Sequence, residues 1–192
     1  MIDYPVPLLG FSAYSGTGKT TLLSKLLPIL KNQGLRIAVV KHAHHLFEID
    51  HPQKDSYELR KAGATQMLVS SRGRMALISE SDANRPEPGL ACMLQYLDPK
   101  TLDLVLVEGF KRETFHKIEL HRPSLGKPLL CHTDPNIVAV AADAAVSGVP
   151  HRLPVLNLND PREIAGFIRQ YMRSIGDGSD DQPSHRLHRQ LC

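Results

Sequence analysis

Tryptophan is absent from the 192-residue chain and only 5% of its residues are aromatic, so it has little with which to stack nucleobases. Neither sign of charge dominates: 23 Lys and Arg stand against 20 Asp and Glu, a net charge of +3. That excess is too mild to mark a nucleic-acid binder, although it suits an anionic small molecule. The three cysteines, Cys92, Cys131 and Cys192, lie far apart with no Cys-x-x-Cys pair. This argues against a disulfide framework or a zinc knuckle and for reduced thiols. No stretch approaches the ~18 apolar residues of a membrane span, and residues 1–7 lack a basic region of the targeting type. The expectation is a cytoplasmic protein with no membrane and no nucleic-acid partner. What is present is ordinary globular composition, 42% hydrophobic and 22% charged, at a length that suits one packed domain.

The apolar pattern alternates between strand and helix. Residues 6–12 read as a buried strand that opens into a Gly-rich turn, and residues 20–33 as an amphipathic helix with Leu22, Leu23, Leu26, Leu27, Ile29 and Leu30 on one face. Pro28 should kink that helix and Gly34 should end it in a left-handed turn. A second strand is expected at 36–42, then a short helix with Asp55 as N-cap and Glu58 as its box partner, stopped by Gly63. Residues 66–70 and 75–79 flank Ser71-Arg72-Gly73-Arg74 as a β-hairpin. A Pro-rich loop at 83–89 leads to a helix reaching Tyr96. Further strands are expected at 102–107, 117–121, 137–142 and 154–158. The closing helix starts at Pro161, with Asp160 and Glu163 spaced as a capping box. Its Ile164, Phe167, Ile168, Tyr171, Met172 and Ile175 should face the core. The fold class implied is α/β: a P-loop NTPase-like, doubly wound, mainly parallel sheet with an inserted antiparallel hairpin. One nucleotide-binding domain spans 1–175, and 176–192, poor in apolar residues, is expected to be a disordered tail.

The chemistry concentrates at Ala13-Tyr14-Ser15-Gly16-Thr17-Gly18-Lys19-Thr20-Thr21. This is G-x-x-x-x-G-K-[ST] with Ala13 in place of the first glycine, which a loop accepts if the backbone there keeps a negative φ. Gly16 and Gly18 let successive N–H groups turn toward phosphate oxygens, and the helix that follows presents its positive end to the same anion. Ser15, Gly16, Thr17, Gly18, Lys19, Thr20 and Thr21 are therefore the candidate nucleotide-binding residues. Lys19 should reach the β- and γ-phosphates and the Thr20 hydroxyl should serve Mg²⁺.

Glu108 closes the apolar run 102–107 as an acid closes a Walker B strand, where it can hold Mg²⁺ or orient an attacking water. Asp50 is a second candidate for both the magnesium and the catalytic role. The segment Lys41-His42-Ala43-His44-His45 admits three readings: contact with an anion or partner, a plain loop, or a metal site. Its spacing favours the first over the last. Asp143, at the carboxyl end of strand 137–142, either accepts hydrogen bonds from a guanine edge or caps a turn.

Taken together these segments resemble the MobB family, the molybdopterin-guanine dinucleotide biosynthesis adaptors. The resemblance rests on residues 12–21, 41–45, 50–56, 57–64 and 102–111, and covers about residues 7–171. One departure is Gln53, where the pattern Pro-Gly-Lys-Asp-Ser calls for glycine. The resemblance implies a GTP-binding protein with weak Mg²⁺-dependent GTPase activity that assists the guanylyltransferase attaching GMP to molybdopterin. It further implies molybdopterin or the molybdenum cofactor as a bound ligand, and a homodimer with the hairpin 66–79 as a contact. A rival reading is a small-molecule kinase using ATP; Arg72, Arg74 and Arg85 could supply charge, but no segment marks a lid. A third reading is an interaction module that responds to nucleotide without turnover.

Overall fold

Strands that are apolar along their length need a sheet covered on both faces, and most of this chain serves that arrangement. A computed structural model describes residues 1–43, 47–80 and 86–176. The chain forms two compact units, residues 1–42 with those from 89 onward, and residues 43–88.

The first unit holds β1 (Leu8–Ala13), α1 (Lys19–Asn32) and β2 (Ile37–Lys41). The second contributes α2 (Asp55–Lys61), β3 (Gln66–Ser71) and β4 (Arg74–Ser79). The first unit resumes with α3 (Leu90–Leu94), β5 (Leu104–Glu108), β6 (Lys117–His121), β7 (Ile137–Ala142), β8 (Val155–Asn157) and α4 (Pro161–Gly176). Its six strands run in the order β2-β5-β1-β6-β7-β8, and every neighbouring pair is parallel. The fold class expected from the alternation of strands and helices is the one observed.

One face of this sheet presents Leu9, Phe11, Leu104, Leu106, Ile118, Leu120, Ala139 and Ala141 to α1 and α4. The other face packs Leu8, Val105 and Val107 on Leu90 and Leu94 of α3. Each buried leucine contributes about 1.5–3 kcal/mol, which is why so many apolar strand positions hold a parallel sheet without a hairpin's local support. Tyr171 fastens α4 to β1: its hydroxyl donates to the Leu8 carbonyl at 3.0 Å and lies 2.9 Å from His116 Nδ1. Burial pushes the tyrosine pKa up and the His116 pKa down, so both stay neutral in this bond. Two buried polar side chains of β6 are fully partnered. Lys117 Nζ meets Asp134 at 2.9 Å, and Glu119 accepts from the N–H groups of Leu130 and Cys131 at 2.8 Å.

In the second unit β3 and β4 pair antiparallel, with Ser71 opposite Arg74, and the strands take in one more residue at the turn than the pattern predicts. Arg60 is buried and pairs with Glu48, Asp50 and Glu80.

Most element boundaries fall within one or two residues of expectation. The helix after the Pro-rich loop ends at Leu94, short of Tyr96. Gly34 does end α1 at φ +86, and Ala13 avoids positive φ as the P-loop substitution requires. Asp55 is not an N-cap: Lys54 holds that position and no side chain caps the helix, so Asp55 acts as the first-turn acid instead. At α4 Asp160 does cap, accepting from Arg162 N at 2.9 Å, but Glu163 reaches Asn157 N at the end of β8 rather than closing a reciprocal box. Gln53 sits at φ +73, the conformation for which the family pattern uses glycine. His44, His45, Arg85 and all of the expected tail after Gly176 lie outside the described residues, and Gly176 itself ends α4.

Candidate functional site

The chain runs from β1 through residues 14–18 into α1, so the loop stands at the carboxyl edge of a central strand. β1's crossover leads one way along the sheet to β2, whereas β5 is followed by β6 on the far side of β1. Ligands of open α/β sheets bind outside the carboxyl ends at such a reversal.

The loop is held from within. Thr17 is buried, and its hydroxyl donates to the Tyr14 carbonyl at 2.8 Å, closing the turn. Thr17, expected among the phosphate holders, thus uses its side chain to shape the loop. Gly16 at φ +81 and Gly18 at φ +94 occupy the left-handed region that makes so tight a turn possible. Among the described residues, the N–H groups of Ser15, Gly16 and Gly18 have no backbone partner. The first intrahelical bond of α1 runs from Leu22 N to Gly18 O, and no side chain caps the helix. Lys19, Thr20 and Thr21 therefore add three more open donors at the positive end of a 14-residue helix. A row of backbone donors without an acceptor is a site for an anion.

Side chains reinforce that sign. Burial lowers the Lys19 pKa, Glu108 opposes the shift, and Lys111 and Lys41 add to it. Lys19 thus feels two other ammonium groups and one carboxylate. Glu108 ends β5 beside Lys41 of β2, with Nζ 3.7 Å from Oε2. Its backbone is fixed as well: the Glu108 carbonyl accepts from His42 N at 2.8 Å, and Gly109 (φ +91) and Phe110 (φ +50) turn the chain sharply away. The Phe110 ring packs against His42, centroids 4.9 Å apart.

Thr20 and Thr21 are exposed at the start of α1. Thr20 and Glu108 offer the hard oxygen donors that Mg²⁺ prefers, and their chemistry fits that ion. Asp50 lies in the 43–88 unit, where its Oδ1 accepts from His51 N and its Oδ2 is 3.8 Å from Arg60 Nε. Among the described residues no group of three or more His, Cys, Asp or Glu side chains could hold a metal ion.

Asp143 follows β7, as expected, with its Oδ2 accepting from Arg122 Nη1 at 2.5 Å. Arg122, just past β6, also donates from Nε to the Thr17 carbonyl at 2.8 Å. Sequence reasoning missed this arginine. Nothing in Leu120-His121-Arg122-Pro123 marks it, and only the parallel register of β1, β6 and β7 brings it to the loop.

Comparison with known proteins agrees with this geometry. Residues 8–143 match the family described as Molybdopterin guanine dinucleotide synthesis protein B. A molybdopterin-guanine dinucleotide biosynthesis adapter protein of Escherichia coli is 46% identical over 171 residues, covering 88% of this chain and 94% of the relative. The protein of that name in Haemophilus influenzae is 40% identical, covering 87% and 90%. A MobB homolog from Bacillus stearothermophilus superposes with a TM-score of 0.63 at 29% identity, over 87% of this chain and 98% of that one. These likenesses run through the loop, β5 and β7, and they do not favour the kinase reading. The chain belongs to the MobB family.

Proposed function

We propose that the protein is a GTP-binding adaptor in molybdopterin guanine dinucleotide biosynthesis. The observation that carries this reading is the row of partnerless N–H groups at Ser15, Gly16, Gly18 and the first turn of α1, beside the Lys19, Lys41 and Lys111 ammonium groups. A triphosphate supplies the acceptors and the negative charge that this arrangement lacks. Ser15, Gly16, Gly18, Lys19, Thr20 and Thr21 hold the phosphates, and Thr17 sets the curvature of the loop. Thr20 and Glu108 hold Mg²⁺, which when bound neutralises phosphate charge. Asp50 remains with Arg60. The Asp143 carboxylate accepts from the guanine N1–H and N2–H₂ groups, which adenine does not offer.

Weak hydrolysis follows from the side chains available. Glu108 can orient a water, yet it is partnered by Lys41, which limits it as an activator of that water. The working complex in this reading includes molybdopterin and the guanylyltransferase, in the cytoplasm. No helix among the described residues is long and apolar enough to cross a membrane. A homodimer is proposed on the hairpin, where Leu68, Val69, Met75 and Leu77 are exposed on two short strands that cannot bury them alone.

Calorimetric titration with GTP, ATP and molybdopterin tests the reading. Binding of GTP in preference to ATP, together with pterin binding, is the expected result. ATP-dependent phosphorylation of a small metabolite, or no triphosphate binding, overturns it.

A further inference from the structure

Arg122 joins two places that the chain keeps far apart. Its Nε donates to the Thr17 carbonyl inside the phosphate loop, and its Nη1 donates to Asp143 Oδ2 at the end of β7. Nη2 lies against the start of α1, 3.5 Å from the position a Cβ on Gly18 would occupy. The link is possible because β6 lies between β1 and β7 in the sheet, so a side chain at its carboxyl end reaches both neighbours. The side chains of Arg122 and Asp143 are 30% and 20% exposed, which shelters the pair from full solvent screening. Asp143 Oδ1 accepts no hydrogen bond among the described residues, so the carboxylate can hold Arg122 with one oxygen and receive a ligand donor with the other.

We propose that Arg122 is a positioning residue that ties the phosphate loop to the Asp143 carboxylate, so that a ligand's phosphates and its hydrogen-bond donor edge are bound in one register. The proposal rests on the P-loop reading above and assigns a role beyond it. Only a planar, forked cation serves both acceptors at once. A lysine ammonium at this position reaches one or the other and leaves the two ends free to drift. A ligand that uses both ends then loses the benefit of having them placed together, whereas a ligand that uses only the loop loses little.

The experiment compares Arg122→Lys, Asp143→Asn and the double variant by calorimetry with Mg·GTP, Mg·ATP and magnesium tripolyphosphate, after thermal melts confirm folding. Arg122→Lys should lower GTP affinity by about tenfold or more, while tripolyphosphate affinity stays within about threefold. The GTP over ATP preference should fall toward that of Asp143→Asn. The double variant should be little worse than either single one, because the two residues act through one link. Arg122→Gln, which keeps a planar donor group without the charge, should fall short of wild type in the same pattern. Equal losses for GTP and tripolyphosphate would make Arg122 a plain phosphate contact and overturn the proposal. So would unchanged GTP affinity in Arg122→Lys, with the P-loop reading left standing. Wild-type protein that binds none of the three ligands would overturn both.

Discussion

Replacing Gly109 with alanine probes the turn that fixes the carboxyl end of β5. The residue sits at φ +91, and a Cβ added there would stand 2.6 Å from the His42 Cβ and 3.4 Å from the His42 nitrogen. Carbon atoms in favourable contact are about 3.5–4.0 Å apart, so the two segments must part by roughly 1 Å. His42 is not free to yield, because its N–H donates to the Glu108 carbonyl at 2.8 Å in the last rung between β2 and β5. The left-handed backbone adds about 1–2 kcal/mol for any residue with a Cβ. The sum is about 2–4 kcal/mol. At this chain length that corresponds to a melting temperature lower by about 4–16 °C. Gly126→Ala isolates the backbone part, since Gly126 has φ +60 with nothing within 4 Å of its Cβ position. It should cost only about 1 kcal/mol. Urea unfolding of both variants measures the difference, and titration with Mg·GTP reads whether the displaced Glu108 still serves the site. If Gly109→Ala unfolds no more readily than Gly126→Ala, the contact with His42 does not hold the turn and the reasoning fails.

Lys19→Ala should abolish measurable triphosphate affinity and leave the melting temperature within a few degrees of wild type, because the change also relieves repulsion from Lys41 and Lys111. Wild-type affinity in that variant would refute the loop's role. Gln53→Gly should raise stability by about 1 kcal/mol, since a residue with a Cβ now sits at φ +73; a urea midpoint that falls instead would mean the glutamine side chain contributes more than the strain removes. Hydrogen bonds from Arg36 lower the Asp103 pKa from 3.8 to about 2. The folded-state pKa is the lower one, so this contribution is fully present above pH ~4 and is lost as pH falls toward about 2. Asp103→Asn should flatten that acid limb in a plot of melting temperature against pH, modestly because the pair is exposed to solvent. An acid limb identical to wild type would show that the pair does not contribute.

The parts of the fold legible in the sequence are those whose cause is contiguous. The β1–loop–α1–β2 unit can be read because the turn needs glycines two positions apart, at Gly16 and Gly18, and because the leucines of α1 repeat at the helical period. Gly34, the hairpin around Arg72 and Gly73, and β5 ending at Glu108 can be read for the same reason. The capping patterns mark the limit of such reading. Asp55 and Asp160 look alike in sequence, yet only Asp160 caps, and Glu163 turns aside to Asn157 because the end of β8 lies within reach. Strand order is not written locally at all, because a parallel pair is joined through a crossover rather than a turn. The sequence by itself determined that this chain carries a phosphate loop on a parallel sheet, since glycine placement and apolar period act within a few residues. Only the tertiary structure decided which cation tends that loop: Arg122 is 105 residues from Thr17 along the chain and meets it because β6 lies beside β1.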